Sequence, residues 1–229
     1  MNVTEAVNAR KSVRAFLPKP VPEETVRQIL IDAARAPSGG NLQPWKTYVM
    51  AGAARDELLR RVREQWEAGN FGEGTEYDIY PKDLKEPYTA RRREVGYMLY
   101  ELAGVTRDDK AGRINQMFRN YELFDAPVCL IFTIDRQMGL GQWADLGMYI
   151  QNVMLLALDH GLATCPQEAW ANWYKTLTEM LSIPDEEMVF CGVALGYEDT
   201  GAKVNSLHAP RAGLEDVKFF GFDSAWAKG

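Results

Sequence analysis

The chain has 229 residues, of which 46% are hydrophobic, 11% aromatic and 25% charged, the profile of a folded globular protein and not of a disordered or fibrous one. At this length roughly 70% of the unfolded surface is buried on folding, so neither disulfides nor a structural metal is needed to hold a core. A formal charge of −6 excludes the basic footprint that nucleic acid or an anionic membrane would require.

In chain order, Pro22-Glu23-Glu24 is a strong helix start, because Pro suits the first turn and acids there oppose the dipole. Val26, Ile29, Leu30 and Ala33 follow at helical spacing, so a helix is predicted from Pro22 to Ala36. Pro37-Ser38-Gly39-Gly40-Asn41 breaks it, Lys46 to Ala51 reads as a short strand, and residues 53–68 read as a second helix. Gly69 to Pro87 has no period and reads as a long loop, the kind that serves as a lid or binding loop. Helices are predicted over Thr89–Ala103, with Arg91, Arg92 and Arg93 on one side, and over Lys110–Leu123. Ala126–Asp135 is continuously apolar and predicts a strand buried on both faces. Trp143–His160 is apolar almost all round and predicts a central core helix ended by Gly161. An irregular stretch, a helix from Trp170 to Leu181 and a second apolar strand, Met188–Leu195, complete the pattern of one α+β domain.

Several chemical signals fail on inspection. Gly139-x-Gly141-x-x-Ala144 has the form of a dinucleotide fingerprint, but no strand supplies the ribose-binding acid, because Asp159 still lies on the same long helix; a Gly-rich turn is the better reading. The two histidines, His160 and His208, form no zinc pattern, and His160 sits where a helix end needs capping. Cys129, Cys165 and Cys191 fit a reducing compartment, with Cys165 read as inert packing and not as a nucleophile. No signal-peptide pattern and no span of about 20 apolar residues is present, so a soluble cytoplasmic protein is expected.

What remains is Arg10-Lys11-Ser12-Val13-Arg14-Ala15-Phe16. On an extended segment Arg10, Ser12 and Arg14 alternate onto one side, and two guanidiniums with a hydroxyl can grip a phosphate. Ser38-Gly39-Gly40-Asn41-Leu42-Gln43-Pro44-Trp45 crowds amides and backbone N–H groups into a tight loop, and Pro210-Arg211 adds another isolated Arg.

These segments, with Thr164-Cys-Pro-Gln-Glu-Ala169 and Ala194-Leu-Gly-Tyr197, resemble in order and spacing the FMN-dependent nitroreductase family, from residue 10 to about 222. The longer middle segment, with Pro87-Tyr88 and Arg91-Arg92-Arg93, is most similar to the branch that acts on nitrobenzoates and other nitroaromatics. The resemblance implies an α+β fold with a central, mostly antiparallel sheet flanked by helices. It also implies an intertwined homodimer with FMN at the interface, a single domain over 1–229 and a substrate lid around 69–105. By position, Arg10, Ser12 and Arg211, with Lys11 among the contacts, are expected to hold the FMN phosphate and ribityl chain, and Arg14 the pyrimidine edge, where positive charge favours the reduced cofactor.

Pro166, Gln167, Glu168 and Ala169 are expected beside the ring, with the Glu168 backbone N–H directed at N5. Pro37, Ser38, Gly39 and Asn41, backed by Gln43, are expected to reach the ring from the other subunit. Members that carry a Lys two residues before the C-terminal Arg contrast with this chain, which has Ala209 there and His208 beside it. Tyr88, Phe219 and Phe222 are expected to wall the substrate slot. The implied reaction is ping-pong: NAD(P)H delivers a hydride and departs, then a nitro compound is reduced through nitroso to hydroxylamine, with no catalytic side chain. Related activities on quinones, enones or halogenated phenols, and flavin binding without turnover, stay open on the same scaffold.

Overall fold

Strand alternation sets the layers of the computed structural model, which describes residues 1–106 and 108–220. Among these residues five strands form one antiparallel sheet: β1 (Phe16–Leu17), β2 (Trp45–Ala51), β3 (Val128–Asp135), β4 (Ala163–Gln167) and β5 (Glu187–Glu198). Their order is β1-β5-β3-β2, with β4 also on β5. The predicted double burial of β3 is observed, since every residue from Val128 to Ile134 is buried. Cys129 and Ile131 point to one side, packing with Leu58, Val62, Tyr121, Trp170, Trp173 and Leu177. Val128, Leu130, Phe132 and Ile134 point to the other, packing with Ile29, Ala33, Leu146 and Val153. Burial of each such side chain is worth about 1.5–3 kcal/mol. A bulge between Phe132 and Thr133 leaves Phe190 unpaired on β5, so that Val189 and Cys191 serve opposite cores.

Helices α1 (Val3–Ala9), α2 (Glu23–Ala33), α3 (Gly52–Glu67), α4 (Tyr88–Leu102), α5 (Lys110–Phe118), α6 (Leu140–Asp159) and α7 (Tyr174–Leu181) flank the sheet. Sequence periodicity missed α1, although Asn2 and Glu5 form a reciprocal capping box that was there to be read. Two predicted helices end differently. Lys110–Leu123 is helical only to Phe118, because Leu123, Phe124 and Asp125 take positive φ in the 3₁₀ segment that follows. Trp170–Leu181 begins as 3₁₀ (Glu168–Trp173) before α7. The stretch after Gly161, read as irregular, is instead strand β4, whose backbone pairs with β5 from Ala163 to Gln167.

Helix α6 departs from its expected burial on all sides. Leu146, Tyr149, Ile150, Val153 and Ala157 are buried, whereas Met148 is exposed and Gln151, Leu155 and Leu158 are half-buried along the opposite stripe.

Residues 69–87 contain no regular element, as predicted, but their first part is strapped to the body. The Glu73 carboxylate accepts the Lys175 and Thr176 backbone N–H groups at 2.8 and 3.1 Å, capping α7 from across the chain. Glu76 accepts from Arg136 and from the Val189 N–H, and the Tyr77 hydroxyl donates to the Phe190 carbonyl. By contrast α4 buries no residue fully.

Gly192 lies against the indole of Trp170, and a Cβ there would collide with the ring atoms Cδ1 and Cγ. Gly192→Ala is therefore expected to lower stability by about 1–3 kcal/mol through overpacking; a denaturation midpoint equal to that of the unmodified chain would contradict this packing.

Candidate functional site

The N-terminal segment is positioned by backbone pairing. After α1 the chain extends, Ser12 bridges Thr164 in parallel, and the Val13 N–H donates to the Thr164 carbonyl at 3.0 Å. Val13 is buried at 1% exposure, so its neighbours face outward as the alternation predicted. Arg10, Lys11, Ser12 and Arg14 line one cavity of about 500 Å³, together with Gln151 of α6, Val95 of α4, and His208, Ala209 and Arg211 from the C-terminal segment. Residues from opposite ends of the sequence thus meet at one place.

A residue that sequence reasoning missed holds this arrangement. Asn205, 3% exposed, accepts the Arg14 N–H at 2.7 Å and donates to the carbonyls of Ala15 and Asp199 at 2.8 and 2.9 Å. Its own carbonyl accepts from Lys11 Nζ at 2.7 Å. Nothing in the local sequence Lys203-Val-Asn-Ser marks it, because its side chain bonds to backbone groups, those of Arg14, Ala15 and Asp199. Lys11 also pairs with Glu198 at 2.8 Å. Its ammonium donates to the Asn205 carbonyl and pairs with the Glu198 carboxylate, so Lys11 also fastens the segment that lines the cavity.

Electrostatics mark the cavity as an anion site. The Arg10 guanidinium is held below its usual range, first by burial and then by the nearby positive charge of Arg211. Arg211 Nη1 meets only neighbouring carbonyls, those of Ala209 and Pro210. Arg14 Nη1 donates to the Ser12 carbonyl. Two converging guanidiniums beside a hydroxyl and an imidazole form a donor set suited to a phosphate ester. His208 lines the cavity beside Ala209.

Strand β4 leads from this cavity to the expected ring segment. Gln167 is turned inward, donating to the Asn120 carbonyl at 2.6 Å and accepting from Trp170 Nε1, and it is 2% exposed. Its side chain therefore braces the core, which leaves its backbone as the part that faces the expected ring segment. Glu168 is half-buried, and burial pushes its carboxyl up from the ordinary range. As the first residue of a 3₁₀ helix it carries a backbone N–H with no acceptor inside that helix. Pro166 and Ala169 beside it are likewise half-buried.

The Pro37–Gln43 loop does not line the cavity of its own chain. Gly39 to Gln43 are exposed, and Gly40, Asn41 and Gln43 have φ of 60°, 57° and 47°. The Ser38 hydroxyl accepts the Gln43 N–H at 3.0 Å, and Gln43 Nε2 donates to the Asn41 carbonyl. Tyr88 and Phe219 are 58% and 52% exposed and also lie off the cavity, although an Arg91–Asp216 ion pair ties the C-terminal segment to α4. Phe222 lies outside the described residues.

Gly139 is the N-cap of α6, with its N–H donating to Gln142 Oε1, and α6 runs unbroken through Asp159. His160 is the C-cap residue through its backbone N–H. Among the described residues no His, Cys, Asp or Glu cluster could hold a metal, and no helix is long and apolar enough to cross a membrane.

Fold and cavity together define an α+β protein with an arginine-lined cavity beside the segment that pairs with β4. A family model described as "Nitroreductase family" matches residues 7–197. The chain is 37% identical over 218 residues to the chloronitrobenzene nitroreductase of Comamonas testosteroni, covering 95% of this chain and 96% of that one. It is similar in structure to the FMN- and NADPH-dependent nitroreductase NfnB of Sphigopyxis sp. strain HMH, with a TM-score of 0.94, 45% identity, and 97% and 100% of the two chains covered. NfnB from Mycobacterium smegmatis, solved in complex with NADPH, matches with a TM-score of 0.89 at 29% identity, covering 95% and 96%. The chain belongs to the nitroreductase family.

Cys165 borders this site, yet burial raises its thiol to about 11 despite the opposing charge of Arg14, and burial raises Cys129 to about 12. Thiol chemistry at the site is thereby disfavoured. A disulfide reagent at pH 8 is expected to titrate none of the three cysteines in the folded protein and all three after denaturation; fast labelling of native Cys165 would overturn the inert reading.

Proposed function

We propose that this chain is an FMN-dependent NAD(P)H oxidoreductase that reduces nitroaromatic compounds. The observation that carries the reading is the convergence of Arg10, Ser12, Arg14, His208 and Arg211 on one cavity, in a chain of this family. Those residues fit the cofactor by donor chemistry: Arg10 lies near the like charge of Arg211, an anion between them would relieve the repulsion, and among the described residues no carboxylate lines the cavity to take that role.

FMN, when bound, supplies two-electron transfer from the nicotinamide to the nitro group. The protein supplies binding and charge. Arg10, Ser12 and Arg211 hold the phosphate end, and His208 adds a donor in place of the missing Lys. Arg14 contributes positive charge where electron uptake by the cofactor builds negative charge. The Glu168 N–H provides a fixed donor for the ring, from a backbone made rigid by β4 on one side and the inward-bonded Gln167 on the other. No side-chain nucleophile or acid–base pair is required.

The working unit in this proposal is a homodimer. Gln151 lies in the cavity and shares the incompletely covered stripe of α6 with Met148, Leu155 and Leu158. That shared stripe, and a Pro37–Gln43 loop remote from its own cavity, both support a cofactor site completed by a second copy. Segment 69–105 is assigned as the substrate-side element, with α4 as its less anchored part and Tyr88 and Phe219 as slot residues. The cytoplasm is the proposed location.

Arg10→Ala and Arg211→Ala are each expected to weaken FMN binding roughly tenfold to a hundredfold, the range for hydrogen bonds to a charged group. Fluorescence titration of the flavin measures this, and a chain that refuses FMN altogether would sink the assignment. Tyr88→Ala is expected to change the KM for nitroaromatics while leaving FMN content alone. Anaerobic bleaching by NADH or NADPH, followed by reoxidation with nitroaromatic, quinone, enone and halophenol acceptors, separates the proposed activity from its alternatives; no bleaching would mean flavin binding without turnover.

A further inference from the structure

Three residues of the Ser38–Gln43 loop occupy the left-handed region, two of them, Asn41 and Gln43, without the freedom of glycine. Each costs of order 1 kcal/mol, and the cost is met only where surroundings over-determine the backbone. Yet Gly39 to Gln43 are exposed and bury no side chain that could hold the loop. Something else must fix it.

Helix α6 does so at three levels. Asn152 Nδ2 donates to the Ala33 carbonyl at 3.3 Å, at the end of α2 just before the loop. Tyr149 stacks on Trp45 just after it, with centroids 4.8 Å apart and planes 5° from parallel. Between them Asp145, one turn from Tyr149 and only 6% exposed, accepts the Gly39 N–H through Oδ2 at 3.1 Å. A buried carboxylate is expensive unless it is hydrogen-bonded, and this one accepts a backbone N–H of the loop. The same helix sends Gln151 into the cofactor cavity.

We infer that Asp145 is a positioning residue, whose carboxylate presets the Gly39–Gln43 backbone in the shape that contacts the flavin of the second subunit. This rests on the homodimeric reading above. With the loop preset, flavin binding bears no cost of ordering it. Asp145 touches neither cofactor nor substrate in this assignment and acts only through Gly39.

The test pairs amide hydrogen exchange of the apo protein with flavin titration and visible circular dichroism of the bound flavin. Asp145→Ala is expected to speed exchange of the Gly39 amide and to weaken FMN binding, each roughly tenfold, with an altered flavin dichroism. Asp145→Asn keeps an oxygen acceptor of the same shape and is expected to restore all three to within about threefold, since a neutral acceptor is weaker than a charged one. Should the alanine variant fail to fold, Gly39→Pro removes the donor from the exposed side of the same bond and is expected to weaken FMN binding similarly. Unchanged Gly39 exchange in Asp145→Ala overturns the clamp itself. Faster exchange with unchanged flavin affinity and dichroism overturns the positioning role. Failure of the unmodified protein to bind FMN would instead strike the functional reading, and the exchange measurement on apo protein would still judge the clamp.

Discussion

Two like charges brought together are the constraint on which the site depends. Burial holds the Arg10 guanidinium below its usual range, and the nearby positive charge of Arg211 lowers it further. A chain would separate them if it could. It cannot, because the segment carrying Arg10 is paired to β4 at Ser12 and Val13 and knotted to the C-terminal segment through Asn205 and Lys11. The Asn205 and Lys11 bonds are part-buried and the set is mostly to backbone, so breaking one leaves a polar group poorly satisfied. The two arginines are thus kept near each other by the backbone, an arrangement that suits the anion site proposed above.

The sheet makes this geometry reproducible. β4 and β1 both pair with β5, and β5 pairs with β3, which is packed on both faces. The arginine segment, the Glu168 turn and the strand that anchors both therefore share one rigid reference. On the other layer α6 sets the Ser38–Gln43 loop and contributes Gln151 to the cavity, so one helix links the two halves of a site that a pair of chains would complete. Catalysis carried by a cofactor suits such a scaffold: rigidity and placed charge matter more than reactive side chains.

Much of the architecture was legible in sequence because hydrophobic period reports burial directly. The unbroken apolar run of β3 and the i, i+3, i+4 pattern of Val26, Ile29, Leu30 and Ala33 each had one reading. The arginine alternation also survived, since an extended segment with a buried Val13 leaves Arg10, Ser12 and Arg14 on one side. What failed had a physical cause. Strand β4 contains Pro166 and Gln167 and looks irregular, because its regularity comes from pairing with β5 and not from propensity. The apolar circumference of α6 overstated its burial within one chain, since sequence shows that a face is apolar and not which molecule covers it.

By itself, then, the sequence determined the class of fold, the family and the list of residues able to grip a phosphate, because those depend on residue type, order and period. The tertiary structure alone decided which of them face the cavity. It turned Gln167 into the core and tied Lys11 to Glu198 and Asn205. It also gave Asn205 and Asp145 their importance, because each bonds to backbone far away along the chain. Backbone groups are identical at every position, and no local pattern of side chains can announce such a partner.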